Sequence, residues 1–174
     1  MKKLVILAHP NIDASIVNKA WKTMLEKNAK AFVVHALYEV YPDLKFDIAR
    51  EQEVLEAFDE IIFQFPIHWY STPFALKKYI DEVFAYGWAF GPEGDRLKGK
   101  KIGFAVSTGG PEESYNAPTG ISVKGLLNDL HLTFEYCGCE VTHLHVFYGA
   151  MFNYEARLLE ENTKRYLNTF ANSN

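Results

Sequence analysis

Cysteine is scarce in this chain: 174 residues hold only Cys137 and Cys139, with one glycine between them. Two thiols make no disulfide framework and fall short of a structural zinc site, so they read as small thiols buried near a strand, and no metal is expected. Positive charge is also short. Lys and Arg number 18 against 22 Asp and Glu, a net charge of −4, which argues against a nucleic-acid partner, whose phosphates want a basic face. Long apolar runs are missing too. The run after Lys2 and Lys3 spans five residues before His9 and Pro10. That is too short for a signal-peptide core or a membrane span, so a cytoplasmic location is expected. No GxGxxG or GxxxxGKS occurs, which removes the dinucleotide fingerprint and the Walker loop as anchors. No linker, repeat or low-complexity tract interrupts residues 1–174, so one domain is expected.

What is present is a regular alternation. Short apolar runs rich in β-branched and aromatic residues recur at Leu4–Ala8, Ala31–Leu37, Glu60–Phe65, Lys101–Ser107 and Val141–Phe147. The first four are nearly continuous, as strands covered on both faces must be; in the last, His143 and His145 alternate with Leu144 and Val146. Between the runs lie helical stripes. Val17, Ala20, Trp21, Met24 and Leu25 share one face, as do Leu76, Tyr79, Ile80, Val83 and Phe84 after Pro73. Val123, Leu126, Leu127, Leu130 and Phe134 form another stripe, and Leu159, Tyr166, Leu167 and Phe170 a last one. Glu51 to Phe58 supplies a shorter helix. Strand–helix alternation predicts right-handed βαβ units, hence an α/β three-layer sandwich around a parallel sheet. Five strands favour the flavodoxin-like order 2-1-3-4-5.

In such a sheet the ligand crevice lies beyond the carboxyl ends of the strands, at the switch point between strands 1 and 3. That singles out His9–Ser15, Pro66–Thr72 and Thr108–Pro118. The first opens directly into a helix, where free backbone N–H groups and the dipole favour an anion; Ser15, Asn18 and His9 add side-chain donors. For Ser15 alone a simple helix cap is the competing reading, and for His9 a satisfied buried histidine. The second loop sets Trp69 and Tyr70 where a flat, apolar, redox-active ring would want a wall. In the third, Ser107, Thr108, Gly109 and Gly110 offer hydrogen bonds and close backbone approach, and Tyr115 can donate to charge developing on a reduced ring.

These residues resemble the flavodoxin-like NAD(P)H:quinone oxidoreductases, a family that includes the ancillary oxidoreductases of bacterial potassium-efflux systems. HPxxxxSxxN appears as His9, Pro10, Ser15 and Asn18. FPxxWxxxPxxLKxxxDxVF appears as Phe65, Pro66, Trp69, Pro73, Leu76, Lys77, Asp81, Val83 and Phe84, and STGG with its later tyrosine as Ser107–Gly110 and Tyr115. The resemblance implies that His9, Ser15, Val17 and Asn18 surround a flavin phosphate. It implies that Pro66, Ile67, His68, Trp69 and Tyr70 line the flavin ring, with Ser107, Thr108, Gly109, Gly110 and Tyr115 on its polar edge and Tyr115 as the catalytic donor. The implied reaction is two-electron, ping-pong hydride transfer from NAD(P)H to a quinone-like acceptor through FMN, with FAD as the alternative; the chain end at Asn174 favours FMN. His68 stands where animal relatives carry glutamine, and Gly120-Ile121-Ser122 lacks the histidine those relatives have beyond the tyrosine.

A homodimer with shared active sites is expected, because Phe84–Pro92 gathers aromatics after a helix that begins at the second loop. Tyr86, Trp88 and Phe90 are expected to wall the nicotinamide and quinone site. Two alternatives stand beside the enzyme. One is a regulatory subunit of a potassium-efflux transporter. The other is a flavodoxin-type electron carrier, which the modest negative charge disfavours.

Overall fold

The computed structural model describes residues 2–116, 120–152 and 154–171. The strands β1 (Lys3–Leu7), β2 (Phe32–Ala36), β3 (Glu60–Pro66), β4 (Lys101–Ser107) and β5 (Glu140–Phe147) form one sheet of order β2-β1-β3-β4-β5, with every pair parallel. The helices are α1 (Ile16–Lys27), α2 (Leu37–Val40), α3 (Ile48–Glu56), α4 (Phe74–Val83), α5 (Glu113–Asn116), α6 (Val123–Leu126), α7 (Asn128–Tyr136) and α8 (Ala156–Ala171). The flavodoxin-like order read from five runs is the observed one. Part of the third predicted loop, Ala117 and Pro118, lies outside the described residues.

Period-two alternation in the strands sorts the core into two layers. Leu4, Ile6, Ile61, Phe63 and Phe104 face α4 and α7, where Leu76, Tyr79, Leu130 and Phe134 bury their stripes. Val5, Ile62 and Ala105 face α1 and α8, meeting Trp21, Leu25, Tyr166 and Phe170. Gly103 makes the second layer close. A Cβ there would stand 2.5 Å from the Phe170 ring, so α8 can seat on β4 only over a glycine.

Two stripes resolve differently from their sequence pattern. Val123–Phe134 is not one helix but two, α6 and α7, broken at Leu127. There the N–H is shared between the Val123 and Lys124 oxygens, at 3.2 and 3.3 Å. Gly125 two residues earlier weakens the helical preference, while the apolar spacing carries across the break. Helix α3 begins three residues before the predicted Glu51, because Asp47 caps it by accepting from Arg50 N. Cys137 and Cys139 are both buried and unbridged. Burial pushes the Cys139 thiol up to about 12, so it stays protonated.

Candidate functional site

The carboxyl ends of β1, β3 and β4 converge on a cavity of about 250 Å³ lined by His9, Ser15, Val17, Asn18, Pro66, Ile67, His68, Ser107, Thr108 and Gly109, together with Ala14, Ile16, Ala150 and Met151. None of the lining residues is acidic, and none is Lys or Arg. Any anion here is met by neutral dipoles. The Ser15 hydroxyl caps α1, accepting from Asn18 N at 3.1 Å. It keeps its own proton to give, so capping and ligand binding are compatible at one side chain. At the helix start, Ile16 and Val17 have N–H groups with no acceptor inside the helix.

His9 is fixed in tautomer. Asn11 N donates to its Nδ1 at 3.1 Å, so the neutral ring carries its proton on Nε2. Burial lowers the His9 pKa from its usual value and the neighbouring His68 lowers it further, which makes His9 a neutral donor near pH 7. Asn18 is almost fully buried and donates through Nδ2 to Ser107 Oγ at 2.9 Å. One of its amide protons thus ties α1 to β4 and does not point at a ligand.

Ala150 and Met151 were not found from sequence. They arrive because the loop after β5 runs along the Thr108–Gly110 loop: Thr108 N donates to Phe147 O, Gly149 N to Gly110 O and Ala150 N to Thr108 O, at 2.8–2.9 Å. Gly109 lies directly under Met151, whose Sδ is 2.7 Å from where a Cβ would sit. The rule that ligands gather at strand carboxyl ends applied equally to β5; its short, motif-free loop hid the signal.

Not every predicted residue reaches the cavity. Trp69 and Tyr70 stand beside it on a turn closed by His68 N to Ser71 O (2.9 Å) and Ser71 N to His68 O (3.0 Å). Both have left-handed backbones, φ 48° and 62°, and are 94% and 67% exposed. Bulky aromatics rarely adopt that conformation, at a cost of about 1–3 kcal/mol each, and such strain gathers at functional sites. Gly110 and Tyr115 are outside the lining. Tyr115 is buried, stacked near Tyr148 with ring centroids 5.9 Å apart and 3.5 Å from a Cβ built on Gly110.

Tyr86, Trp88 and Phe90 lie at the other end of the sheet and do not reach this chain's own cavity; the expectation placed them at the nicotinamide and quinone site of a pocket shared by two chains, where a partner copy would supply them. Helix α4 carries the chain from the cavity end to the amino ends of the strands. There Trp88 Nε1 donates to Glu56 Oε1 at 2.7 Å and Trp88 O accepts from Arg96 N. Phe90 packs on Tyr136 at the end of α7. Trp88 and Phe90 are half-buried, and only Tyr86 is well exposed, at 70%. The large exposed apolar groups at the cavity end include Ile16, Trp69, Tyr70, Phe74, Met151 and Phe152. Two larger depressions, about 510 Å³ beside α6, α7 and β5 and about 750 Å³ between α1 and α8, gather no loops from the carboxyl ends of β3 and β4. Among the described residues, no group of His, Cys, Asp and Glu is placed to hold a metal ion, and no helix is long and apolar enough to cross a membrane.

A doubly wound sheet with an anion-receptive helix start at its switch point defines a class of nucleotide-binding domain. The chain belongs to the family described as Flavodoxin-like fold, whose model matches residues 1–170. It is 39% identical over 153 residues, 87% of each chain, to a protein of Bacillus subtilis (strain 168) named an uncharacterized NAD(P)H oxidoreductase, YrkL. It is 42% identical over 137 residues, 79% of this chain and 77% of the other, to the glutathione-regulated potassium-efflux system ancillary protein KefF of Enterobacter sp. (strain 638). The crystal structure of general stress protein 14 from Treponema denticola in complex with FMN superposes with a TM-score of 0.91, at 40% identity and 98% coverage of both chains. An NADPH-quinone reductase from P. pentosaceus superposes at 0.88, with 25% identity and full coverage of both.

Proposed function

We propose that this protein is a flavin-dependent NAD(P)H oxidoreductase that holds FMN at the cavity and reduces quinone-like acceptors in two-electron, ping-pong turnover. The observation that carries the reading is the convergence of the three motif loops on one cavity with hydroxyl, imidazole and helix-start donors and no acidic wall. That donor set fits a phosphorylated flavin, as does the FMN bound to the Treponema relative. The names of YrkL and of the P. pentosaceus structure support the reaction class. A flavin supplies the reversible two-electron chemistry that side chains lack.

The chain's own residues do the rest. Ser15, His9 Nε2–H and the start of α1 hold the phosphate. Pro66, Ile67 and Val17 exclude water, and Trp69 and Tyr70 stand where a planar ring or second substrate would lie against them. Ser107, Thr108 and Gly109 would serve its polar edge, and Gly110 and Tyr115, packed together just beyond the lining, would extend that edge, with Tyr115 the donor to negative charge on a reduced ring. A second reading, an ancillary subunit of a potassium-efflux transporter, is favoured by the KefF relative and is compatible with the enzyme.

Steady-state kinetics test the reaction. With FMN-loaded protein, NADPH or NADH, and a soluble benzoquinone, double-reciprocal plots should give parallel lines. Tyr115→Phe should lower kcat about tenfold or more with little change in FMN affinity, because its bond forms mainly in the transition state. Intersecting lines would exclude the ping-pong order, absence of pyridine-nucleotide oxidation would exclude the reaction, and unaltered kcat in Tyr115→Phe would remove that residue from catalysis.

A further inference from the structure

Behind the cavity wall a line of buried polar side chains runs from α8 to Ser107. Tyr166 is fully buried, and its hydroxyl donates to Gln64 Oε1 at 3.1 Å. Gln64, equally buried, donates through Nε2 to the Asn18 backbone oxygen at 3.2 Å, with Asn18 Oδ1 3.4 Å away. Asn18 Nδ2 donates to Ser107 Oγ at 2.9 Å.

Chemistry fixes the direction of this line. A backbone carbonyl only accepts, so Gln64 must turn its NH₂ towards α1 and its oxygen towards Tyr166. The same NH₂ holds Asn18 Oδ1 on its side, which leaves the Asn18 NH₂ facing Ser107. Among the described residues the Ser107 hydroxyl serves only as an acceptor. Its single proton is left for the cavity that it lines.

We propose that Gln64 is a positioning residue: by orienting Asn18 it makes Ser107 an obligate hydrogen-bond donor to an acceptor oxygen of the bound flavin nucleotide. The proposal rests on the flavin reading above. Ser107 is 3% exposed, so no water competes freely for the arrangement, and a ligand group that donates at this point is disfavoured. Without Gln64, Asn18 can turn its own oxygen to Ser107 and take the proton that the ligand needs.

A double-mutant cycle separates this role from a merely structural one. FMN affinity is measured by fluorescence quenching for wild type, Gln64→Met, Ser107→Ala and the pair, with thermal melts of each flavin-free protein. Each single change should weaken FMN about tenfold, and Gln64→Met should have no further effect once Ser107 is alanine. Equal losses from Gln64→Met in both backgrounds would overturn the proposal, as would undiminished affinity in Gln64→Met. Should Gln64→Met fail to fold, Gln64→Leu likewise removes the NH₂ that holds Asn18 Oδ1, and the same cycle and the same criteria then apply. A wild type that binds no FMN would sink the flavin reading and this proposal with it, and is told apart because the loss precedes any substitution.

Discussion

Ser15 and His9 line the cavity as neutral groups, and in the proposed function they meet the ligand's phosphate in that form. In the free protein, burial and the neighbouring His68 hold the His9 pKa below its ordinary value. A phosphate dianion beside Nε2 would favour the imidazolium; the second proton goes to Nδ1, which must then give up the Asn11 N–H it accepts, and binding should take up a proton where the phosphate outweighs that loss. FMN affinity should therefore strengthen as pH falls through the raised pKa that His9 has in the complex. The Cε1–H resonance of His9, assigned with a His68→Ala variant, should titrate at higher pH when FMN is added. An unmoved titration would mean that His9 does not face the phosphate. At this scale the sequence was informative wherever a motif met the switch-point rule: His9, Ser15, Pro66, Ser107 and Gly109 all line the cavity. It was silent on Gln64, which reads simply as one polar residue inside an apolar strand. It was silent also on Met151, whose place depends on backbone bonds between two loops.

Helix α3 carries a second buried polar cluster, remote from the cavity. The Glu51 carboxylate is fully buried, accepts from Tyr41 OH at 2.7 Å and Tyr79 OH at 3.0 Å, and lies 2.8 Å from His35 Nε2. Burial pushes the carboxyl up, but His35, Tyr41 and Tyr79 together outweigh it and leave the Glu51 pKa below the usual carboxylate value. Tyr41 in turn is pushed up to about 12, chiefly by burial and then by Glu51. The depressed Glu51 pKa means its contribution to stability is complete above the unfolded value and is lost as pH falls through the folded one. Glu51→Ala, which leaves its partners without an acceptor, should cost about 3–5 kcal/mol and lower Tm by roughly 10 °C at pH 7. The deficit should shrink only as pH falls below the ordinary carboxylate range and through the lower pKa of folded Glu51, where the wild-type carboxylate is itself protonated. Equal melting of the two proteins at pH 7 would show that the cluster contributes nothing net. The apolar stripes foretold the longer helices, but neither the four-residue α2 and α5 nor where the third stripe breaks. A stripe carries no mark for Leu127, where the backbone is interrupted although the buried face continues into Leu130 and Phe134.

For the whole molecule, the exposed aromatics at the cavity end make that end the better candidate for a two-fold interface, and we propose a homodimer formed there. The aromatic segment after α4 looked exposed from sequence because its partners, Glu56 and Tyr136, come from distant parts of the chain. By light scattering the wild type should have about twice the chain mass. Trp69→Glu should shift it towards monomer and reduce quinone reduction, whereas Tyr86→Glu should leave both unchanged. The opposite pattern would return Tyr86, Trp88 and Phe90 to the substrate site as residues supplied by a partner. Topology was legible because covered strands and alternating helices have few ways to fold; an interface was not, since a single chain's pattern does not say which exposed rings another copy covers. The functional readings depend on a flavin at the junction of the three loops. The most direct measurement is the absorption spectrum of the purified protein after incubation with FMN and removal of excess ligand. Retained bands near ~375 and ~450 nm, arising from the cofactor's own chemistry, are the expected result. A colourless protein that keeps no flavin at micromolar concentration would contradict the account.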